Sequence, residues 1–227
     1  MKKIALGLFV IVFLISGCTS SISYKFDKTL YKRKKPLNYS VVVGVFDDAR
    51  PEEEHSGKLE GKKGYATTSD KLFKPDVARQ VSEMLAKHLR EANIFRKVKV
   101  ESIGSNLLRN PSAMQKLYKK GFRLAIVADL QHFYGYQSGE TSRVASSVLF
   151  GMIGAITEAI VNPKIVGARV EYSDIEVIDL KSQKAIWRGN LCESFEESDT
   201  IYDGPVYYVL QTLKKINDRF AKRFQQK

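Results

Sequence analysis

The chain has 227 residues, enough for one large domain or one domain with insertions. A composition of 44% hydrophobic and 27% charged residues excludes a disordered chain and describes a globular protein with a real core. The formal charge of +12 suits anionic partners, and two cysteines exclude an intramolecular disulfide framework once one of them is spoken for.

Lys2 and Lys3 open the chain, and Ile4 to Ile15 is an almost unbroken apolar run. Its length is that of a signal-peptide h-region and short for a bilayer span. Ile15-Ser16-Gly17-Cys18 follows. This stretch resembles the bacterial lipoprotein signal. The resemblance implies a diacylglycerol thioether on Cys18, cleavage between Gly17 and Cys18, acylation of the new amine, and loss of residues 1–17. Without Lys2 and Lys3 the mature chain is near +10, about two charges fewer. The other reading is an ordinary secretory signal with an incidental cysteine. Thr19, where Asp would favour inner-membrane retention, implies an outer-membrane lipid anchor facing the periplasm if the organism is Gram-negative. An exported lipoprotein meets little nucleic acid. The implied partners are the membrane itself through Cys18, and an envelope protein, anionic lipid or cell-wall polymer.

Residues 18–37 read as a lipidated basic tether carrying Lys25, Lys28, Lys32, Arg33, Lys34 and Lys35. Such charges beside an anchor each add about 1 kcal/mol of attraction to anionic headgroups. Residues 38–227 read as a single α/β domain. Tyr39 to Phe46 is β-branched and continuous, the pattern of a strand buried on both faces. Asp47, Asp48 and Arg50 follow at its carboxyl end, where α/β sheets often place sites, and Pro51 stops the element. They are candidate interaction residues; the plainer reading is a turn held by local Asp–Arg pairing. Residues 52–74 read as a long polar loop.

Pro75 marks a helix start, with Val77, Val81, Met84, Leu85, His88, Leu89 and Ala92 on one face and Asn93 as terminator. His88 on that stripe reads as a packed histidine, because no second ligand follows at metal-site spacing. Phe95 to Glu101 is a strand, Asn110-Pro111 caps a short helix ending at Gly121, and Leu124 to Leu130 is a second central strand that runs on as Gln131 to Tyr136, an aromatic, polar end suited to line a cleft or pack on a neighbour.

Val144 to Val161 holds one charge, Glu158. Ser147, Gly151, Ala155 and Ala159 recur every fourth residue, which on a helix makes a smooth stripe for close backbone packing. Three readings compete: a helix buried in the domain, a helix that packs on its copy or a partner, and a segment that dips into the membrane. Eighteen helical residues reach about 27 Å, marginal for a span. Lys164 to Leu180 and Ala185 to Phe195 read as a hairpin, with Cys192 as a buried thiol in its second strand. Pro205 opens a last helix whose buried stripe is Val206, Val209, Leu210, Leu213, Ile216, Phe220 and Phe224.

The order predicts an α/β (α+β) two-layer sandwich: a mixed sheet of about five strands, two long helices and an apolar helical insertion at 144–161. Phe46-Asp47-Asp48-x-Arg50 and the hairpin Val177 to Trp187 resemble elements of small envelope lipoproteins: the YajG-type proteins, the penicillin-binding-protein activators and the curli-secretion-channel lipoprotein. The first functional reading is a non-catalytic, periplasm-facing binding or scaffold module of an envelope assembly, with no cofactor and no metal. The alternative is an oligomeric component of an envelope transport or secretion system using 144–161 for assembly or insertion. The enzyme reading is third. His55, His88 and His132 are far apart in sequence, and no Gly-x-Ser-x-Gly occurs.

Overall fold

The structure is a computed structural model that describes residues 22–26, 35–56, 76–138, 164–199 and 205–225. Among these, six strands form one open mixed sheet. β1 (Leu37–Gly44) lies between β3 (Phe95–Glu101) and β4 (Leu124–Ser138), parallel to both. β5 (Lys164–Asp179) and β6 (Lys184–Asp199) continue the sheet antiparallel beyond β4. The two-residue β2 (Asp47–Asp48) pairs with β4 past the end of β1. This is the expected α/β mixed sheet.

The valine run of β1 explains its central place. Val41, Val42 and Val43 are all fully buried. Val41 and Val43 join the larger core, under α2 (Val77–Glu91) and α4 (Pro205–Lys222). Val42 joins a second core on the opposite face, under a 3-10 turn (Ser105–Arg109) and α3 (Pro111–Lys119). The α4 stripe is seated as its spacing predicts: Val209, Leu213, Ile216 and Phe220 are 0–1% exposed. Each such side chain contributes about 1.5–3 kcal/mol by leaving water.

Helix ends follow local chemistry. Asp76 caps α2 by accepting the Arg79 N–H, so the cap is Asp76 where the sequence pointed to Pro75. At the other end, Asn93 takes φ +52°, its N–H donates to the Arg90 carbonyl, and Ile94 N–H donates to that of Leu89. The same two-bond finish closes α3 at Gly121 (φ +88°), with Leu117 and Tyr118 accepting. Asn110 caps α3 as expected.

Three features differ from expectation. The segment 52–74 begins as a short helix, α1 (Glu52–Ser56), whose Glu54 is 1% exposed. In β5, Asp174 sits at φ +47° inside a bulge between Tyr172 and Ile175. The extra residue flips the alternation. Tyr172, Ile175 and Val177 therefore face the larger core, while Ile178 and Leu180 face the smaller one.

The third concerns residues 18–37, which the sequence presents as a tether. Ile22 to Phe26 packs on the domain, and Leu37 already belongs to β1. Ile22 is 6% exposed and its N–H donates to the Gln80 Oε1 at 3.0 Å. Phe26 meets the His88 ring edge-on at 4.9 Å. Tyr24 enters a buried polar chain. The Tyr172 hydroxyl donates to Asn217 Oδ1 at 2.9 Å, and Asn217 Nδ2 donates to the Tyr24 oxygen at 2.9 Å. The Tyr24 hydroxyl lies 2.6 Å from His88 Nδ1, and His88 Nε2 lies 3.0 Å from Asp218. A carboxylate only accepts, so His88 presents its N–H to Asp218 and accepts from Tyr24. His88 is fully buried, as a packed histidine. Burial pushes both tyrosine hydroxyls well above their ordinary titration range.

Candidate functional site

β1 and β4 run parallel, so their carboxyl ends share one end of the sheet, and the expected residues Asp47, Asp48 and Arg50 meet there. Past Gly44 the chain is held by Phe46 N–H donating to Ser82 Oγ on α2 at 2.9 Å. Asp47 lies opposite Asp129 in the β2–β4 register. Its carboxylate accepts from the Ser105 N–H at 3.0 Å and from the Ser105 hydroxyl at 2.5 Å. Gly104 makes room: a Cβ there would lie 3.1 Å from Asp47 Oδ1.

Asp48 and Arg50 form the local pair that the sequence offered. Arg50 Nε and Nη2 each donate to one Asp48 oxygen at 2.8 Å. The guanidinium side chain is fully buried, and Asp48 keeps 28% exposure. His55 joins them: its Nδ1 is 3.3 Å from Arg50 Nη2, and its Nε2 is 3.8 Å from Asp48 Oδ1. Neighbouring Glu54 reaches across to β4, accepting from the Phe133 N–H at 3.0 Å and from His132 Nδ1 at 2.5 Å. That backbone N–H points away from β5, so Glu54 closes the open edge of β4 beyond β2.

Sequence reading missed Glu54, His55, Ser105 and His132 as members of this cluster. The signal available was Glu54-His55 six or seven residues past a strand that ends in two aspartates. Asp129 stands with Asp47 and Asp48 among the carboxylates whose perturbation in a shared cleft would favour the enzyme reading, and it lies across from Asp47. Its Oδ1 is buried with no hydrogen-bond partner among the described residues. Burial, then the nearby charge of Asp47, raise its carboxyl above the usual range.

Above this cluster β4, β5 and β6 extend as a three-stranded arm. One face of the arm covers the core. The other carries His132, Tyr134 and Tyr136 along β4, Arg169 and Glu171 on β5, and Cys192 and Glu196 on β6. The rings follow one another at 5.9 and 6.2 Å. Tyr136 lies flat over Gly167, where a Cβ would come within 2.4 Å of its ring, and its hydroxyl donates to Glu196. Burial alone would raise the Glu171 carboxyl, but Arg169 beside it outweighs burial and holds it below its ordinary value. Cys192 is exposed, a correction of the buried thiol expected from Leu191 and Phe195. Leu191 faces the core, so its neighbour in an alternating strand faces out. Partial burial, then the Glu171 carboxylate, push the thiol up.

Gly17, Cys18, Ser147, Gly151, Ala155 and Ala159, with the rest of 144–161, lie outside the described residues. Their surroundings are visible only as the chain ends beside them. Ser138 and Ile165 are paired, so the chain leaves and re-enters the arm at its tip. No group of histidine, cysteine and carboxylate side chains among the described residues has the geometry of a metal site.

No family model matches the chain, and no curated protein is similar to it in sequence. In fold it is similar to a Xanthomonas campestris protein assigned to DUF330. That match has a TM-score of 0.50 at 8% identity, over 89% of this chain and 91% of the other. Weaker likenesses are to the PelC dodecamer of Paraburkholderia phytofirmans and the Neisseria meningitidis lipoprotein GNA1162. The first has a TM-score of 0.39 at 12% identity, covering 81% of this chain and 90% of that one. The second has 0.32 at 11%, covering 81% and 99%. Identity this low speaks to fold alone.

Proposed function

We propose that the protein is a membrane-anchored lipoprotein of the bacterial cell envelope. It acts as a non-catalytic, periplasm-facing module that binds or scaffolds a partner protein or anionic polymer. One observation carries the reading: the apolar run ending in Ile15-Ser16-Gly17-Cys18. The geometry at the carboxyl end of the sheet supports it. Asp48 is spent on Arg50, Glu54 on His132 and the Phe133 N–H, and Asp47 on Ser105. These contacts hold the segment after β1 against β4 and against the Ser105 turn, so these three carboxylates serve the fold.

The test is expression of the full chain in a Gram-negative host with radiolabelled palmitate, beside Cys18→Ala. Label on the first and none on the second, with the first in the outer-membrane fraction, is the expected result. A mature chain beginning elsewhere and carrying no label overturns the reading.

The oligomeric transport component is the second reading. The pairing of Ser138 with Ile165 favours it, because residues 139–163 issue from the tip of a projecting arm. Solution mass of residues 20–227 separates the two: a monomer supports the binding module, and an oligomer lost when 144–161 is replaced by a Gly-Ser loop supports assembly.

A further inference from the structure

We propose that Ile22 to Phe26 is a clasp that holds the domain close on the anchoring lipid surface, with the Ile22 end of α2 nearer the membrane than the β5–β6 turn. The inference rests on lipidation of Cys18 and adds to it a height and an orientation.

The clasp is built from contacts on both long helices. The Ile22 N–H is held by Gln80, and Tyr24 is held by His88 of α2 and Asn217 of α4. Phe26 packs on His88. The segment thus runs along α2 from Gln80 towards His88, about 12 Å by helical rise. The start of α2 stands beside the end of β1, where Ser82 receives the Phe46 N–H. Its end stands beside the start of β1, where Ile94 receives the Leu37 N–H. Ile22 is therefore the clasp residue nearest the carboxyl end of the sheet.

Cys18 lies four residues upstream of Ile22, and four peptide units span at most about 14 Å. A tether running freely to Leu37 would reach about 65 Å over its 19 residues. The clasp removes most of that freedom. It also ties the basic stretch ahead of β1 at both ends, at Phe26 and at Leu37, so the anchor's usable length is the piece before Ile22 alone. The chemistry of the surface is that of the bilayer that receives the acyl chains, carrying anionic headgroups that suit a chain near +10.

Two levels of the sheet give the readout. Ser56 follows Glu54 at the nearer level, and Ser182 sits in the β5–β6 turn at the farther one; both are exposed. The β4 register between them, Leu124 to Phe133, spans about 30 Å at 3.3 Å per residue. The full lipidated chain, with Cys192→Ser and a donor dye at Ser56→Cys or Ser182→Cys, is placed in vesicles of phosphatidylethanolamine and phosphatidylglycerol with a headgroup acceptor. Energy transfer should be strong from position 56 and weak from 182. A Gly-Ser insertion of about ten residues after Ser20, worth about 17 Å of free chain, should erase the difference. The same insertion after Lys28 should preserve it, because the clasp lies upstream.

Equal transfer from both positions in the parent chain overturns the proposal. So does an insertion after Lys28 that acts like the one after Ser20. Unchanged thermal unfolding of both insertion variants keeps the comparison among folded proteins. The acyl mass on Cys18 is read separately by mass spectrometry. Its absence overturns the anchor itself, whereas a lipidated chain with equal transfer overturns only the clasp.

Discussion

Glu54→Ala is the sharpest test of the bracing at the end of the sheet. The wild-type carboxylate is 1% exposed and accepts from a fully buried backbone N–H at Phe133 and from His132. Removing it strips the amide of its partner, which costs about 1–3 kcal/mol. The His132 ring keeps 19% side-chain exposure, so water can replace its lost bond. A void the size of a carboxyl group adds a further increment, and the total is about 2–4 kcal/mol. Glu54→Gln retains one acceptor oxygen and should lose about 1 kcal/mol. With a urea dependence of about 2 kcal/mol/M, the alanine midpoint falls by about 1–2 M and the glutamine midpoint by about 0.5 M. Urea unfolding followed by circular dichroism measures this, and amide exchange at Phe133 should quicken in the alanine variant before other β4 amides do. An alanine midpoint within about 0.2 M of wild type would refute the reasoning. So would a glutamine variant as weak as the alanine one, since the argument turns on the acceptor.

The buried polar chain makes a second expectation. Tyr24→Phe and Tyr172→Phe should each cost about 1 kcal/mol, and the double variant less than the sum, because both hydroxyls meet Asn217; strict additivity in thermal unfolding would separate the two bonds. Asp129→Asn should stabilise the fold near neutral pH. The folded carboxyl titrates above its unfolded value, so the wild type holds this group's stability in full only below the unfolded value, about 3.9, and loses it as pH rises through the folded one. The asparagine side chain mimics the protonated form, so its advantage should shrink on acidification; an advantage independent of pH contradicts the assignment. Cys192 should alkylate fully without denaturant, yet with a pH midpoint above that of free cysteine, and Glu171→Gln should bring the midpoint down. A thiol that reacts only after unfolding would contradict its exposed position.

What could be read in the sequence was whatever local chemistry decides. Val41-Val42-Val43 announces a strand with two covered faces, and Asn93 and Gly121 announce helix ends because they tolerate positive φ. The Asp48–Arg50 pair was legible for the same reason, being two residues apart. The rest depends on partners distant in the chain. Glu54 looks like one of three surface glutamates until β4 supplies the Phe133 amide, 79 positions later. Ile22-Ser23-Tyr24-Lys25-Phe26 has the alternation of a packed segment, but five residues amid lysines are too short for periodicity to outweigh composition. The bulge at Asp174 left no mark that distinguishes it from an ordinary turn-former. Cys192 was legible and misread: one step from inward Leu191, alternation alone turns it outward.

Tyr24 and Asn217 touch across 193 positions, nearly the length of the chain. A chain delivered from its N-terminus presents Tyr24 early and Asn217 193 positions later. The β1–β3–β4 sheet can form once Leu130 has emerged, and the β5–β6 hairpin can be added to it, but the seat of residues 22–26 is half made of α4. That seat does not exist until synthesis is nearly finished. Contacts of such span close last and slowly. Residues 22–26 are thus made early and fixed last, and their docking reports that the whole domain has been completed.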